Sequence, residues 1–323
     1  GGGIYYARTP GLDFASTRST NGSVGQSIFE ASFFNGFGVT PPAYDQLIPN
    51  ASNLPPSDPQ VYVTDKNFVN PRTYTWALTV EQALTDTLKF TAAFTYAKGV
   101  HGSRFVDRND PVFGGVWNTG LGADKTNGLG QLTTLESSAK SLFRGVTLGL
   151  QKQFSRHFQF QMNYQLSEDL ADDDNERDPF TYRYAVANNF KPDYGFSDRM
   201  ERHRFNAFGL WQAPWGIEFS PLVSFHTPQP ISVANRVLAN GYIVNRNTLW
   251  KDNTFFAIDF RADKNFKLSE RFKLQAIVDA FNVTNRANPK HPETTTLLFN
   301  FDGTVQSGLG DPRQAQLGLR LLF

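Results

Sequence analysis

Apolar and polar residues alternate along most of this chain, in segments of roughly ten residues that end at turn residues. Thr73 to Leu84 sets Trp76, Leu78 and Val80 on one face against Thr75, Ala77, Thr79 and Glu81 on the other. LTDT then reverses the chain, and Leu88, Phe90, Ala92, Phe94 and Tyr96 alternate with Lys89, Thr91, Ala93 and Thr95. The figure recurs with Val146, Leu148, Leu150 and Phe154, a turn at SRH, and Phe158, Phe160, Met162, Tyr164 and Leu166 against Gln159, Gln161, Asn163 and Gln165. That opposing face is too rich in amides for a dry core and suits a wet interior.

A third pair runs from Phe205 to Gln212 and from Ile217 to His226, turning at PWG. Its first strand is ambiguous in phase, because Phe208 and Leu210 compete with Phe205, Ala207 and Trp211. Pro221 weakens the second, since a paired strand loses a donor there. A fourth pair sets Phe256, Ile258, Phe260 and Ala262 on one strand and, beyond KLSE, Phe272, Leu274, Ala276 and Val278 on the next. The last eleven residues, RQAQLGLRLLF, put Ala315, Leu317, Leu319, Leu321 and Phe323 on one face. A partial strand at Gly3 to Arg8 opens the chain.

The turns inside each pair are short, whereas the connections between pairs are long: about 10–71, 98–140, 169–201, 227–253 and 284–312. Within the first, Ile28 to Phe34 has the pattern of a short hairpin arm. Such lengths exceed ordinary loops in a compact domain. Short connections at one sheet end and long ones at the other describe a membrane barrel with short periplasmic turns and long extracellular loops. The expected fold is all-β, an antiparallel up-and-down transmembrane β-barrel with about ten strands in this chain.

Composition agrees and removes alternatives. Lys plus Arg number 31 against 30 Asp plus Glu, so no strong field points to nucleic acid. No run of about 18 apolar residues is present, which excludes a spanning helix but leaves a barrel open. Thiol chemistry and disulfides need cysteine, and there are 0. An aromatic share of 14% fits girdles at two membrane interfaces. No charged-then-apolar leader precedes GGGIYYARTP, so the expectation is a removed signal or a piece of a longer chain.

Several blocks carry a resemblance: IYYARTP at 4–10, PRTYTWALTVEQAL at 71–84, FRGVTLGLQKQFSRHFQFQMNYQLSED at 143–169, DRMERHRFNAFGLW at 198–211, FKLQAIVDAFNVTNRANP at 272–289 and PRQAQLGLRLLF at 312–323. In this order they resemble the C-terminal half of TonB-dependent outer-membrane receptors, particularly the Oar-like branch with an N-terminal carboxypeptidase-regulatory-like domain. DAFNVTNRANP is the most specific block. Gln316, Gly318, Leu321 and Phe323 resemble the C-terminal signal read by the barrel-assembly machinery. The resemblance implies a location in the bacterial outer membrane, a lipid bilayer with lipopolysaccharide around the barrel, and energised uptake of a large or scarce solute. In a full-length receptor it also implies a plug domain, TonB, and a barrel of about twenty-two strands. An autonomous ten-stranded pore or structural barrel is the first alternative, and a rim-catalysed hydrolase the second.

Transport needs no covalent step, and no enzyme or resident cofactor is expected. Asp259, Arg261, Asp263, Lys273, Gln275 and Asp279 should face the lumen, against a plug or lining a pore. Asp198, Arg199, Arg202, His203 and Arg204 form a charged rim with Glu201, suited either to clamping an anion or to pairing internally at the loop base. Asp172, Asp173, Asp174, Asn175, Glu176 and Asp178 follow Glu168 and Asp169 as an oxygen-rich run able to bind Ca²⁺, without the spacing of an EF-hand. Of His101, His157, His203, His226 and His291, none lies in an HExxH motif, and only His203 and His226, with Asp198 or Ser224, could approach at one rim. Trp76, Trp211 and Trp215 suit interface anchors, and loop aromatics Phe105, Phe113, Trp117, Phe180 and Tyr182 suit sugar stacking.

Overall fold

A face fit for lipid must pass unbroken from strand to strand, and the register of the sheet carries it. The computed structural model describes residues 1–9, 14, 61–108, 132–173, 184, 189–233, 236–290 and 308–323. Its strands are β1 (Gly2–Tyr6), β2 (Val61–Thr64), β3 (Arg72–Thr85), β4 (Leu88–Asp107), β5 (Leu132–Ser155), β6 (Phe158–Ala171), β7 (Gly195–Phe196) and β8 (His203–Ala213). They continue as β9 (Ile217–His226), β10 (Pro230–Ile231), β11 (Leu249–Trp250), β12 (Phe255–Lys267), β13 (Lys273–Phe281), β14 (Pro289–Lys290), β15 (Gly308–Leu309) and β16 (Gln314–Leu322).

One sheet runs β1-β3-β4-β5-β6-β8-β9-β12-β13-β16, antiparallel at every step. Across it the apolar rows meet: Leu78 faces Phe94, Phe94 faces Val146, Leu150 faces Met162, and Met162 faces Ala207. Ala207 then faces Val223, Val223 faces Ile258, Ala262 faces Val278, and Val278 faces Leu317. Leu317 and Leu319 remain 79% and 76% exposed, and Trp76, Leu78 and Val80 are exposed too. Leaving a leucine uncovered forgoes about 1.5–3 kcal/mol of burial, so a continuous row of them identifies the surface that meets hydrocarbon.

The four expected strand pairs form, with turns at 86–87, 156–157, 214–216 and 268–272. Arg156 (φ 51°) and His157 (φ 70°) both occupy the left-handed region, as the central pair of a type I′ turn must. Lys152 supports this turn, its Nζ donating to the Ser155 carbonyl at 3.0 Å and the Phe158 carbonyl at 3.2 Å. Trp215 (φ 67°, 81% exposed) caps the next hairpin, and Trp211 stacks on its cross-strand partner Phe219 at 5.7 Å, so these rings sit where an interface girdle belongs.

Two uncertainties of phase resolve. In β8 the outward row is Phe205, Ala207 and Trp211, because these align with Tyr164, Met162 and Phe158. Phe208 faces Gln161 and Leu222 on the interior side. Pro221 is accommodated by a local gap in the β8–β9 pairing between Phe208/Leu222 and Trp211/Phe219.

The connection between β4 and β5 is shorter than the alternation suggests. β4 continues to Asp107 and β5 starts at Leu132, inside the expected 98–140 loop. At about 3.3 Å per residue, the 24 residues of β5 reach roughly 80 Å, whereas a tilted strand crosses hydrocarbon with about 9–11 residues. The excess stands above the membrane, where neither face meets lipid, so the alternation lapses although the hairpin persists. Irregular pairing between Gly99 and Arg104, with His101 at φ 59°, marks the change. Small pairs β10–β11 and β14–β15 occupy parts of the 227–253 and 284–312 connections, and β2 lies parallel to β5. The Ile28–Phe34 arm lies outside the described residues.

Replacing Arg156-His157 with Asn-Gly should relieve two left-handed side-chain residues and stabilise the barrel by about 1 kcal/mol. A rise in the urea midpoint of heat-modifiable gel migration checks it; an unchanged or lower midpoint contradicts the turn assignment.

Candidate functional site: inner wall and outer rim

Counting ten or eleven residues from each short turn locates the outer membrane boundary. On the outward face it falls near Tyr74, Lys98 and Arg144, and on later strands near Glu168, His203, His226 and Asn282. Below this line is wall, and above it is rim.

The wall's interior face carries the amides of β5 and β6 and the charged row of β12 and β13. Arg261 grips its cross-strand partner Asp279 with two bonds, Nε to Oδ1 at 2.6 Å and a terminal guanidinium nitrogen to Oδ2 at 3.0 Å. Gln275 donates to Asp263 at 2.8 Å, and Asp259 accepts the Asn282 backbone N–H at 2.7 Å. Four of the six expected lumen residues are thus tied to one another, Asp259 is tied to the strand end, and Lys273 sits by the inner turn opposite Leu322. Such pairing makes a polar, fixed surface rather than a set of loose charges.

The DAFNVTNRANP block explains itself through its asparagines. Asn282 (φ 45°) is buried and donates from Nδ2 to the carbonyls of Arg286 at 2.9 Å and Asp311 at 3.0 Å, while its Oδ1 accepts from the Arg286 N–H at 3.1 Å. Asn285 Oδ1 accepts the Arg313 N–H at 3.0 Å, and Asn288 bonds both the N–H and the carbonyl of Phe256. Three amides therefore fasten the outer ends of β12 and β13 to the approach of β16. At Asn282 and Asn288 the amide suits the place because its oxygen accepts one backbone N–H while its nitrogen donates to a carbonyl.

At the rim, the charges pair internally. Arg144 and Arg202 share Glu168, at 2.5 Å and 3.8 Å. Arg204 meets Glu201 at 3.1 Å, and Asp198 accepts from Asn247 Nδ2 at 2.5 Å. Arg199 lies in the turn above, its N–H bonded to Ser197 Oγ at 3.4 Å. His203 and His226 fall on opposite faces, since Arg204, not His203, pairs with His226 in register. The His203 ring Nδ1 lies 2.7 Å from the Tyr164 hydroxyl on the outward side, while His226 stacks on Phe255 and approaches Glu201 at 3.4 Å. The hydrolase arrangement of these two histidines is therefore not assembled.

Of the acidic run, Asp172 and Asp173 are described, whereas Asp174, Asn175, Glu176 and Asp178 lie outside the described residues. Asp172 pairs with Arg104 at 2.8 Å and accepts the Lys140 N–H at 2.7 Å, and Asp173 accepts from the Tyr184 hydroxyl at 2.5 Å. These bonds use the carboxylates as fasteners. Among the described residues, no three His, Asp or Glu side chains gather as a metal site. Phe105 sits in β4, and Phe113, Trp117, Phe180, Tyr182 and His291 lie outside the described residues.

Alternation gave no hint of Arg104, which lies in the irregular stretch. Its guanidinium is fully buried between the rings of Phe190 and Tyr184, at 4.1 and 5.2 Å. Burial opposes its charge, but Tyr184, Asp172 and Asp173 outweigh that and hold its pKa above the ordinary arginine value. A basic residue beside glycine and serine in a strand extension, followed by acids one hairpin later, is the only trace in the sequence.

Of the terminal signal, Leu321 lies outward opposite Leu274 and Gln316 inward opposite Asp279; Gly318 faces Ile277, and Phe323 is 88% exposed.

Arg104→Ala strands Asp172 and should cost the outer extension about 3–5 kcal/mol. Faster proteolysis of the extension on intact cells, with unchanged heat-modifiable migration, is the expected result; unchanged proteolysis counts against the latch.

The outer membrane beta barrel domain family matches residues 1–224. No curated protein matches in sequence. Among solved structures, the outer membrane transporter YddB of Escherichia coli aligns at a TM-score of 0.52 and 10% identity, over 83% of this chain and 34% of that one. The siderophore receptor PiuA of Acinetobacter baumannii aligns at 0.50 and 11% identity, over 78% of this chain and 28% of that one. The chain thus spans about a third or less of these structures, and the likeness is one of fold. With the matched region covering strands β1 to β8 and most of β9, and the outward apolar row continuing to β16, the chain belongs to the outer membrane beta-barrel family and is a wall of a barrel in the bacterial outer membrane.

Proposed function

We propose that this wall is part of a TonB-dependent receptor, of the Oar-like branch to which its motifs are similar, that takes up a large or scarce solute. The observation carrying the reading is the open sheet: among the described residues, β1 and β16 end the strand path and are not bonded to each other. Inside hydrocarbon an unpaired strand edge is untenable, so further strands would join these edges and widen the lumen. A barrel of about twenty-two strands needs a plug to be impermeable, and the interlocked Arg261–Asp279 and Gln275–Asp263 surface suits contact with a folded plug better than free ion flow. The two transport-related neighbours with similar folds favour the same class. TonB and the barrel-assembly machinery are the partners this role requires. The role is non-enzymatic, as separation of His203 from His226 across the sheet favours.

Native protein extracted from outer membranes should have an intact mass well above 36.2 kDa and give no steady conductance in a planar bilayer. A mass near 36.2 kDa with steady ohmic conductance would establish the autonomous pore instead.

A further inference from the structure

The outward face at the outer boundary holds a cleft of about 1190 Å³. Its inner wall includes Tyr74, Trp76 and Tyr96, in the same outward rows as Leu78 and Phe94 just below. Three ammonium groups also line it, those of Lys98, Lys140 and Lys191, and none has an ion-pair partner among the described residues. The acid beside them, Asp172, is held by Arg104 and the Lys140 N–H.

A strap at 189–194 forms the other side. It is pinned by Phe190 against Arg104 and by buried Asp193, which receives Arg236 at 2.6 Å. Lys191 and Tyr194 of the strap line the cleft. The strap is thus fixed from behind, while its cation is left unmatched in front.

Uncompensated cations above an aromatic girdle and a lipid-facing apolar row fit an occupant with phosphates on top and acyl chains below. A second copy of this face would bring lysines against lysines in a two-fold contact, and a soluble phosphate would leave the aromatic wall unused. We propose that the cleft binds the phosphorylated headgroup of an outer-leaflet glycolipid, with Lys98, Lys140 and Lys191 on its phosphates and Trp76 and Tyr96 against its sugars and upper chains. The site rests on the barrel's placement in the membrane and not on its transport role.

The test uses native full-length protein in phosphatidylethanolamine nanodiscs doped with bisphosphorylated lipid A, with bound lipid counted by native mass spectrometry. Substituting Lys98, Lys140 and Lys191 together by glutamine should weaken retention roughly 100-fold, since each lysine near a phosphate surface contributes about a factor of five. Lys191→Glu alone, on the strap surface, should weaken it at least about fivefold, and Lys264→Gln at the inner end of β12 should leave it unchanged. Normal heat-modifiable migration certifies the fold of each variant. Retention equal to wild type in the folded triple variant or in Lys191→Glu overturns the site. Equal competition by inorganic phosphate overturns the glycolipid assignment, and binding of a second protein copy in place of lipid does the same.

Discussion

Hydrocarbon offers no partner to a backbone N–H or carbonyl, and each group left unpaired there costs several kcal/mol. The wall of this protein follows from that constraint. Ten strands lie antiparallel in sequence order, so each is bonded to its chain neighbour through a short turn or a long outer connection. The local gap in pairing at Pro221 sits where proline has no N–H to offer. Among the described residues β1 and β16 are not bonded to each other, and the same constraint bears on these two edges.

Once the backbone is satisfied by the ladder, side chains are free to answer the two environments. The outward row needs no complementary packing, so leucines and aromatics can be exposed without penalty in lipid. The inward row is wet and is organised by pairs such as Arg261 with Asp279. Above the boundary both arguments lapse. There the structure builds an ordinary small interior around Val106, Tyr184, Phe190 and Arg104, held by the Asp172 and Asp193 ion pairs. Of the charges singled out in the sequence, Asp172 and Asp173 and the rim residues Arg202 and Arg204 serve as fasteners of this outer architecture.

The wall was legible because one physical rule, alternation at a period of two, governs most residues in it. Turn positions, the outward rows and the side of Asp259 to Asp279 followed directly. In β8 the rule faltered because Phe208 and Leu210 are apolar on the inward side, and only pairing with β6 fixes the phase. Outside the membrane no periodic rule applies. The β4–β5 extension, the parallel β2 and the Arg104 latch depend on contacts between segments distant in the chain, such as Arg104 with Tyr184. The asparagines of 282–288 were visible as a motif, but their bonds to Asp311 and Phe256 cross elements that a linear reading does not juxtapose.

The central claim is that the apolar rows face lipid and the polar rows an aqueous lumen. With 0 cysteines in the chain, single-cysteine substitutions from Thr75 through Glu81 can each carry a spin label. Accessibility to oxygen and to a water-soluble nickel chelate, measured in liposomes, reads the environment of each position. Oxygen maxima at Trp76, Leu78 and Val80, out of phase with nickel maxima at Thr75, Ala77, Thr79 and Glu81, are expected. Uniform nickel accessibility, or an oscillation in the opposite phase, would contradict the barrel wall.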